Sequence, residues 1–251
     1  MAGELLEVEQ LSLRFGGITA LDRVDVTVAE GETLAVIGPN GSGKTSLFNC
    51  ITAIYRPTSG AITFRGRSLL GLSPDAVASG GIARTFQNLR LFHNMTVLDN
   101  LLVGRHLHFR KNFFEALLRV RREEIRHRRR AEEIIELLDL EAVRKSRVAD
   151  CAYGVQKRVE LGRALATEPR LLLLDEPVSG LTQEEKDELA YWIHEIRGRF
   201  GVTVLLVEHD LRVASRLASR MVALDHGVKI AEGTPGEVQQ HPEVVKAYLG
   251  E

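Results

Sequence analysis

The hydrophobic and polar positions change their spacing along the chain, and each spacing predicts a different kind of element. Short runs at Thr33–Ile37, Leu171–Leu174 and Val202–Val207 are almost wholly apolar. Such runs are typical of parallel strands that are covered on both faces. Helical segments are predicted between them, at Lys44–Ile54, Gln156–Ala166 and Gln183–Phe200. This alternation predicts an α/β domain with a mainly parallel core sheet.

Two stretches differ from this pattern. Residues 5–30 contain short alternating strands around the turn Gly16-Gly17. Residues 88–150 are richer in Leu, Arg, His and Glu, and their apolar positions recur with helical spacing. We interpret the chain as a single domain over 1–251, with a mostly helical subdomain inserted at 88–150.

Composition and charge narrow the class of protein. The chain has 251 residues, of which 44% are hydrophobic, so it can bury a large core. Its net charge of −1 gives no basic excess, and we therefore predict no nucleic-acid partner. The two cysteines are too few for a disulfide framework. The first residues do not form a secretory signal, and no apolar stretch approaches the roughly 18 residues of a membrane helix.

A glycine-rich loop, GPNGSGKT, follows the first apolar run and precedes a predicted helix. Glycines let the backbone turn tightly and direct its N–H groups towards an anion at the helix start. Lys44 can then reach the β and γ phosphates of ATP, and the Thr45 hydroxyl can bind Mg²⁺. The predicted nucleotide-binding residues of this segment are Gly38, Pro39, Asn40, Gly41, Ser42, Gly43, Lys44, Thr45 and Ser46.

Polar side chains follow the other apolar runs. Asp175 and Glu176 end the run at Leu171–Leu174, and ligands of open α/β sheets bind outside the carboxyl ends of the strands. We predict that Asp175 holds Mg²⁺ and that Glu176 is the base that activates water. His209, after a further buried run, is predicted to contact the γ-phosphate and orient Glu176. Gln87 is predicted to bind Mg²⁺ or the attacking water.

The order of these segments resembles the nucleotide-binding subunits of ABC transporters along the whole chain. The resemblance implies a P-loop NTPase fold of the ABC ATPase type, with an antiparallel β subdomain at the N-terminus. It implies that Phe15 contacts adenine, that Gln87 belongs to the Q-loop, and that His209 is the switch histidine. The signature segment is Cys151–Val155, and the D-loop is Ser179–Thr182.

The signature reads CAYGV, whereas the general family sequence is LSGGQ. The resemblance implies that Ala152, Tyr153 and Gly154 contact the nucleotide held by an opposite subunit. Ala152 lacks the usual hydroxyl, and Val155 lacks the usual amide. A lost hydrogen bond to a charged group is worth about 1.5–3 kcal/mol. We therefore predict that the site completed by this signature turns over more slowly than the site that uses this chain's phosphate loop.

A narrower resemblance, to the larger ATPase subunit of branched-chain amino acid importers, rests on Arg84–Phe92, Ala152–Gly154, the longer segment His106–Arg130 and the tail Glu232–Gly250. It implies that hydrolysis of ATP with Mg²⁺ drives uptake of branched-chain or other hydrophobic amino acids. The implied partners are a second ATPase subunit, two transmembrane permeases and, indirectly, a periplasmic or extracellular solute-binding protein. The implied location is peripheral, at the cytoplasmic face of the inner membrane.

Alternatives remain open. Related importers carry urea, short amides or aromatic acids, and similar cassettes extract lipid or lipopolysaccharide. A soluble ABC ATPase acting on ribosomes or DNA usually has a second cassette, a long linker or a coiled coil, and the sequence shows none of them. A P-loop kinase would not require the signature, Glu176 or His209.

A cluster of arginines lies within the predicted insertion. The segment Arg119–Arg130 contains seven of them. Such a run predicts either a solvent-exposed helix face or a contact with anionic lipid headgroups or acidic loops of a membrane subunit.

Overall fold

A computed structural model describes residues 3–108 and 113–249, with side chains described outside 113–122. The strands are β1 (Glu4–Phe15), β2 (Ile18–Ala29), β3 (Thr33–Ile37), β4 (Ser59–Phe64), β5 (Arg67–Ser68), β6 (Ile82–Arg84), β7 (Leu171–Asp175), β8 (Thr203–Glu208), β9 (Arg220–Asp225) and β10 (Val228–Gly233). The α-helices are α1 (Lys44–Ile51), α2 (Pro74–Ser79), α3 (Val97–Gly104), α4 (Phe113–Leu137), α5 (Tyr153–Ala166), α6 (Gln183–Phe200), α7 (Leu211–Leu217), α8 (Pro235–Gln240) and α9 (Pro242–Leu249). No helix in these ranges is both long and apolar enough to span a bilayer.

The core sheet has the strand order β10-β9-β3-β8-β7-β6. The pairs β3–β8, β3–β9, β7–β8 and β6–β7 are parallel, and only β10 pairs in the antiparallel direction. Every residue of β3, β7 and β8 is buried, as expected for strands with helices on both faces. The predicted α/β class with a mainly parallel sheet is confirmed.

A second sheet, with the order β2-β1-β4-β5, is antiparallel throughout, which confirms the predicted β subdomain. Its first two strands are longer than the sequence pattern indicates. The β1–β2 register shifts between Val8 and Leu11, next to Gln10 at φ 47°. Asp25 Oδ1 accepts the Gln10 backbone N–H at 2.6 Å and stabilises this bulge. Because a bulge breaks the period-two alternation, the pattern predicts a shorter strand.

Helices form much of the predicted insertion at 88–150, and α5 packs against α3 and α4. Gly162 of α5 lies so close to α4 that an added Cβ would be 3.0 Å from Leu138 and 3.3 Å from Ile134. The start of α5 at Tyr153, three residues before the predicted start at Gln156, extends this helical group past residue 150.

The arginine run lies on α4, and its side chains at 119–122 lie outside the described residues. Among those described, Arg129 and Arg130 both form ion pairs with Glu133, and Arg130 also reaches Glu168. His127 is buried beside Arg105, whose Nε lies 3.2 Å from His127 Nδ1. The described part of the run is therefore an ion-paired helix face with one side packed against the protein.

The tail contains two helices, each of which begins at a proline. Pro235 opens α8, where Thr234 and Glu237 form a capping box, and Pro242 opens α9. Proline is tolerated at a first helical position but cannot continue a preceding helix, so each proline marks a start. The second start places α9 against β10 and α8.

Candidate nucleotide site

The phosphate loop joins β3 to α1 in a conformation that requires glycine. Gly38 and Gly43 have φ values of 150° and 105°. A Cβ at Gly38 would lie 2.1 Å from the Leu224 carbonyl oxygen, and one at Gly43 would lie 2.7 Å from that of Ala20. Gly43 also caps α1 without a side-chain hydrogen bond, so no side chain occupies the first amides of the helix. Such amides form an anion site.

Lys44 is held inside this loop. Its side chain is buried, and Nζ donates to the carbonyl oxygens of Gly38 at 2.7 Å and Pro39 at 2.9 Å. Burial lowers the pKa of the ammonium, and the carboxylates of Glu176 and Asp175 oppose that shift. The loop therefore orders the cation beside the two predicted carboxylates.

The three predicted catalytic residues meet although they come from distant segments. Gln87 Nε2 donates to Glu176 Oε2 at 2.8 Å, and His209 Nδ1 lies 3.6 Å from the same oxygen. Glu176 has φ 46°, and its backbone N–H donates to Val207 O at 3.0 Å. Non-glycine residues rarely adopt positive φ, and strained residues are concentrated at active sites. The arrangement presents one carboxylate between two polar side chains, as a general base requires.

Asp175 forms a buried ion pair that the sequence analysis missed. Arg84 Nη2 lies 2.6 Å from Asp175 Oδ2, and each side chain is 6% exposed. Arg84 Nη1 also donates to Asn49 Oδ1 at 2.7 Å, and its guanidinium lies over the rings of Phe48 and Phe86. The only signal in the sequence was an arginine at the end of a short apolar segment, three residues before Gln87.

The residues predicted to hold Mg²⁺ offer the chemistry that this ion prefers. Thr45, Gln87 and Asp175 supply hydroxyl, amide and carboxylate oxygens, and Mg²⁺ is bound by oxygen together with substrate phosphates and water. Within 3–108 and 113–249, no group of three or more His, Cys, Asp or Glu forms a metal cage. The side chains therefore fit an ion that is held largely by a nucleotide.

Phe15 is exposed at the end of β1, where an adenine-stacking residue was predicted. Its ring meets Tyr55 edge to face, with centroids 5.1 Å apart. Tyr55 follows α1 and was not identified from the sequence. The two rings present an exposed aromatic surface of the kind that pairs with another π-system.

The signature forms the start of α5 and packs against the D-loop of its own chain. Ala152 is the N-cap residue and provides no side-chain hydrogen bond. A Cβ at Gly180 would lie 3.2 Å from the Tyr153 ring, and one at Gly154 would lie 2.4 Å from Glu185 Oε1. The amides at the start of α5 consequently have no side-chain partner at the N-cap.

Val155 has a structural role that its sequence position did not suggest. It is half-buried, packs against the main hydrophobic core and lines a small pocket together with Leu181 and Leu189. Its side chain therefore contacts its own chain. Of the two residues that lack the usual polar group of the signature, Ala152 is exposed and Val155 is half-buried.

The comparison with family models decides the family. Residues 21–179 match the model described as ABC transporter. The chain belongs to the ABC transporter family. Residues 228–251 also match a model described as branched-chain amino acid ATP-binding cassette transporter. The ABC ATPase resemblance and its P-loop NTPase fold are thereby confirmed.

Individual ABC proteins match along the full chain. The high-affinity branched-chain amino acid transport ATP-binding proteins BraF of Pseudomonas aeruginosa and LivG of Salmonella typhimurium are each 41% identical over 254 residues, covering 100% of both chains. The crystal structure of the ADP conformation of MJ1267, an ATP-binding cassette of an ABC transporter, matches with a TM-score of 0.87 and 30% identity, covering 99% of this chain and 100% of that one. This ABC protein is accordingly an ATP-binding cassette and an ATPase.

Proposed function

We propose that this ATPase powers uptake of branched-chain or related hydrophobic amino acids through separate membrane subunits. The observation that carries the proposal is the match of residues 228–251 to the branched-chain amino acid cassette model. This segment lies outside the general ABC match at 21–179 and is therefore an independent signal. The full-length likeness to BraF supports the same solute class.

In the proposed ATPase cycle, the phosphate loop and Lys44 bind the phosphates, and Glu176 accepts a proton from the attacking water. Gln87 and His209 orient that carboxylate, since both lie against its Oε2. Mg²⁺, held by Thr45, Gln87 and Asp175, would neutralise phosphate charge. Phe15 would stack on adenine.

Cassettes of this family work as dimers with membrane permease subunits. We propose a second ATPase subunit whose signature completes the site on this chain's loop, while Ala152, Tyr153 and Gly154 complete the partner's site. ATP moves this pair between open and closed forms only if it binds the closed form more tightly. The remaining proposed partners are two permeases and a periplasmic or extracellular solute-binding protein, with this chain at the cytoplasmic face of the membrane.

A groove beside Gln87 is the proposed seat of a permease segment. It has a volume of about 330 Å³ and a mainly apolar lining from α2, β6, α3 and α5. Glu160 lies buried at its floor, where it accepts the N–H groups of Phe86 and Arg90 at 3.3 and 3.4 Å. An amphipathic helix can place apolar side chains in such a groove. Because Phe86 and Gln87 are adjacent, a helix here would sense movement of the catalytic residues.

Purification of the complex from native membranes tests this function. We expect two permeases, a second ATPase and a solute-binding protein to be recovered, and calorimetry should show that the binding protein takes leucine, isoleucine or valine. Recovery with lipid-extracting membrane proteins, or with ribosomes, would contradict the proposal. A binding protein that takes only urea or amides would still support an importer but would contradict the proposed class of solute.

The signature provides a separate prediction. Ala152→Ser should raise stability by about 1 kcal/mol, because serine is a good N-cap residue and alanine is not. It should also raise the ATPase rate of the assembled complex, because a hydroxyl becomes available to a phosphate of the partner's site. Denaturant unfolding and phosphate release measure the two effects. Val155→Gln is the comparison: it changes a side chain that packs within its own chain, so we expect no gain in rate. If Val155→Gln raised the rate and Ala152→Ser did not, the missing amide at position 155, and not the missing hydroxyl at position 152, would be what slows this site.

A further inference from the structure

The segment that follows β6 has no regular secondary structure, although it carries the proposed catalytic Gln87. Residues 85–92 belong to neither a helix nor a strand. Backbone N–H and C=O groups in such a segment need hydrogen-bond partners from elsewhere in the protein. Several of these partners are side chains of α5, the helix that begins within the signature. One of them, Arg163, donates to the carbonyl oxygen of Arg90.

Glu160 of α5 makes the central contact with this segment. Its Oε1 accepts the backbone N–H groups of Phe86 at 3.3 Å and of Arg90 at 3.4 Å, so one oxygen holds the main chain on both sides of Gln87. The residue is only 3% exposed. Burial raises the pKa of its carboxyl, and the Phe86 N–H and the Lys157 cation oppose that shift. A buried carboxylate is costly unless it is hydrogen-bonded or paired, and these contacts offset that cost.

Lys157 lies one turn before Glu160 on α5 and connects the same segment to the signature. Its Nζ donates to the carbonyl oxygen of Gln87 at 3.4 Å and lies 5.7 Å from the centre of the Tyr153 ring. A cation at this distance is attracted to the face of an aromatic ring. The side chain is buried, which favours both contacts over contact with water. One cation therefore contacts a signature residue and the main chain of the proposed catalytic glutamine.

We propose that Lys157 and Glu160 are positioning residues through which α5 sets the place of Gln87. They hold its main chain, while the Gln87 side chain donates to Glu176 Oε2. Because α5 begins at Tyr153, one helix carries a residue proposed to contact the partner's nucleotide and the side chains that hold this chain's own glutamine. A shift of the signature would then also move Gln87, at the other nucleotide. This inference rests on the proposed roles of Gln87 and the signature.

The test is Glu160→Leu in the assembled complex, with Glu160→Gln beside it. Leucine fills a similar space but accepts neither N–H, so kcat for ATP hydrolysis should fall about ten- to hundredfold, as happens when a catalytic group is misplaced. Glutamine keeps an acceptor oxygen and should restore most of the wild-type kcat. The KM for ATP should change little in both variants, because the phosphate loop is intact. A wild-type kcat for Glu160→Leu would overturn the inference, and so would equal losses for the two variants.

Glu136→Leu is the matched control, since it makes the same chemical change at an exposed carboxylate on α4. Its kcat should equal that of the wild type. If the melting temperature shows that Glu160→Leu does not fold, Lys157→Met takes its place. That change removes the donor to the Gln87 carbonyl, so kcat should fall about two- to tenfold, the range that corresponds to one ordinary hydrogen bond. A wild-type kcat for Lys157→Met would also overturn the inference.

Coupling to Gln87 separates this role from a purely structural one. In a Gln87→Ala background, Glu160→Leu should reduce kcat much less than in the wild type, because the side chain that it positions is already gone. Equal losses in both backgrounds would overturn the inference. A wild-type kcat for Gln87→Ala would refute the proposed role of Gln87 and this inference with it. A slow Gln87→Ala beside a wild-type Glu160→Leu would refute this inference alone.

Discussion

Glu176→Gln will abolish ATP turnover while ATP still binds. The amide keeps the size of the carboxylate and an oxygen that can accept the Gln87 N–H, but it cannot take a proton from water. Loss of a positioned general base reduces rates by about 10²- to 10⁴-fold. Phosphate release under saturating ATP measures turnover, and equilibrium binding of labelled ATP measures affinity. Because bound ATP is not consumed, the variant should also accumulate as a closed ATPase pair, visible by size-exclusion chromatography with ATP.

The matched control is Glu184→Gln, the same chemical change at an exposed carboxylate in the first turn of α6. It should hydrolyse ATP at the wild-type rate. Turnover by Glu176→Gln above one tenth of the wild-type rate would show that another group accepts the proton. Loss of ATP binding would instead show that Glu176 supports the shape of the site.

Arg84→Met should destabilise the protein by about 3–5 kcal/mol. Methionine fills much of the same space, but it leaves the Asp175 carboxylate buried without its cation, and breaking one side of a buried ion pair has this effect. Contacts of the guanidinium with Asn49 and Phe48 are lost as well. Urea unfolding without nucleotide measures the free energy of unfolding. The same variant should weaken Mg²⁺-dependent ATP hydrolysis, because Asp175 is no longer held in place.

Arg216→Met is the control for a generic ion pair. Arg216 pairs with Asp187 on the surface, where the two side chains are 56% and 47% exposed. Exposed pairs contribute about 0–1 kcal/mol, so this variant should unfold almost as the wild type does. If Arg84→Met is no less stable than Arg216→Met, the buried pair does not support the fold.

The parts of the site that depend on local spacing were predictable from sequence. The loop at 38–45 and the carboxylates at 175–176 each place their chemistry within a few residues of a buried strand, so the position of the strand also predicts the position of the side chains. His209 was predicted to orient Glu176 because each follows a buried strand, whereas the position of Gln87 had little local support. The three residues come from segments that are up to 122 residues apart.

The features that were missed depend on register. Arg84 meets Asp175 because β6 pairs with β7 so that Arg84 lies opposite Leu173. A strand of three residues carries too little pattern to predict that pairing. Likewise, the direction of Val155 depends on where α5 begins, and that start differs from the prediction by three residues. Residues of α9 and of the phosphate loop line one cavity although they are distant in sequence, and no local pattern predicts this.

The buried pair of Arg84 and Asp175 also limits how this protein can evolve. A change at either position alone leaves one charge buried without its counterion, while a volume-conserving exchange of both for apolar residues can leave a fold intact. Asp175 is tied to its position by the metal it is proposed to hold, so it cannot take part in such an exchange without loss of activity. Selection on catalysis at position 175 should therefore act on position 84 as well. Among active relatives we expect the arginine to be inherited with the aspartate, and degenerate copies that no longer hydrolyse ATP should be free to lose both.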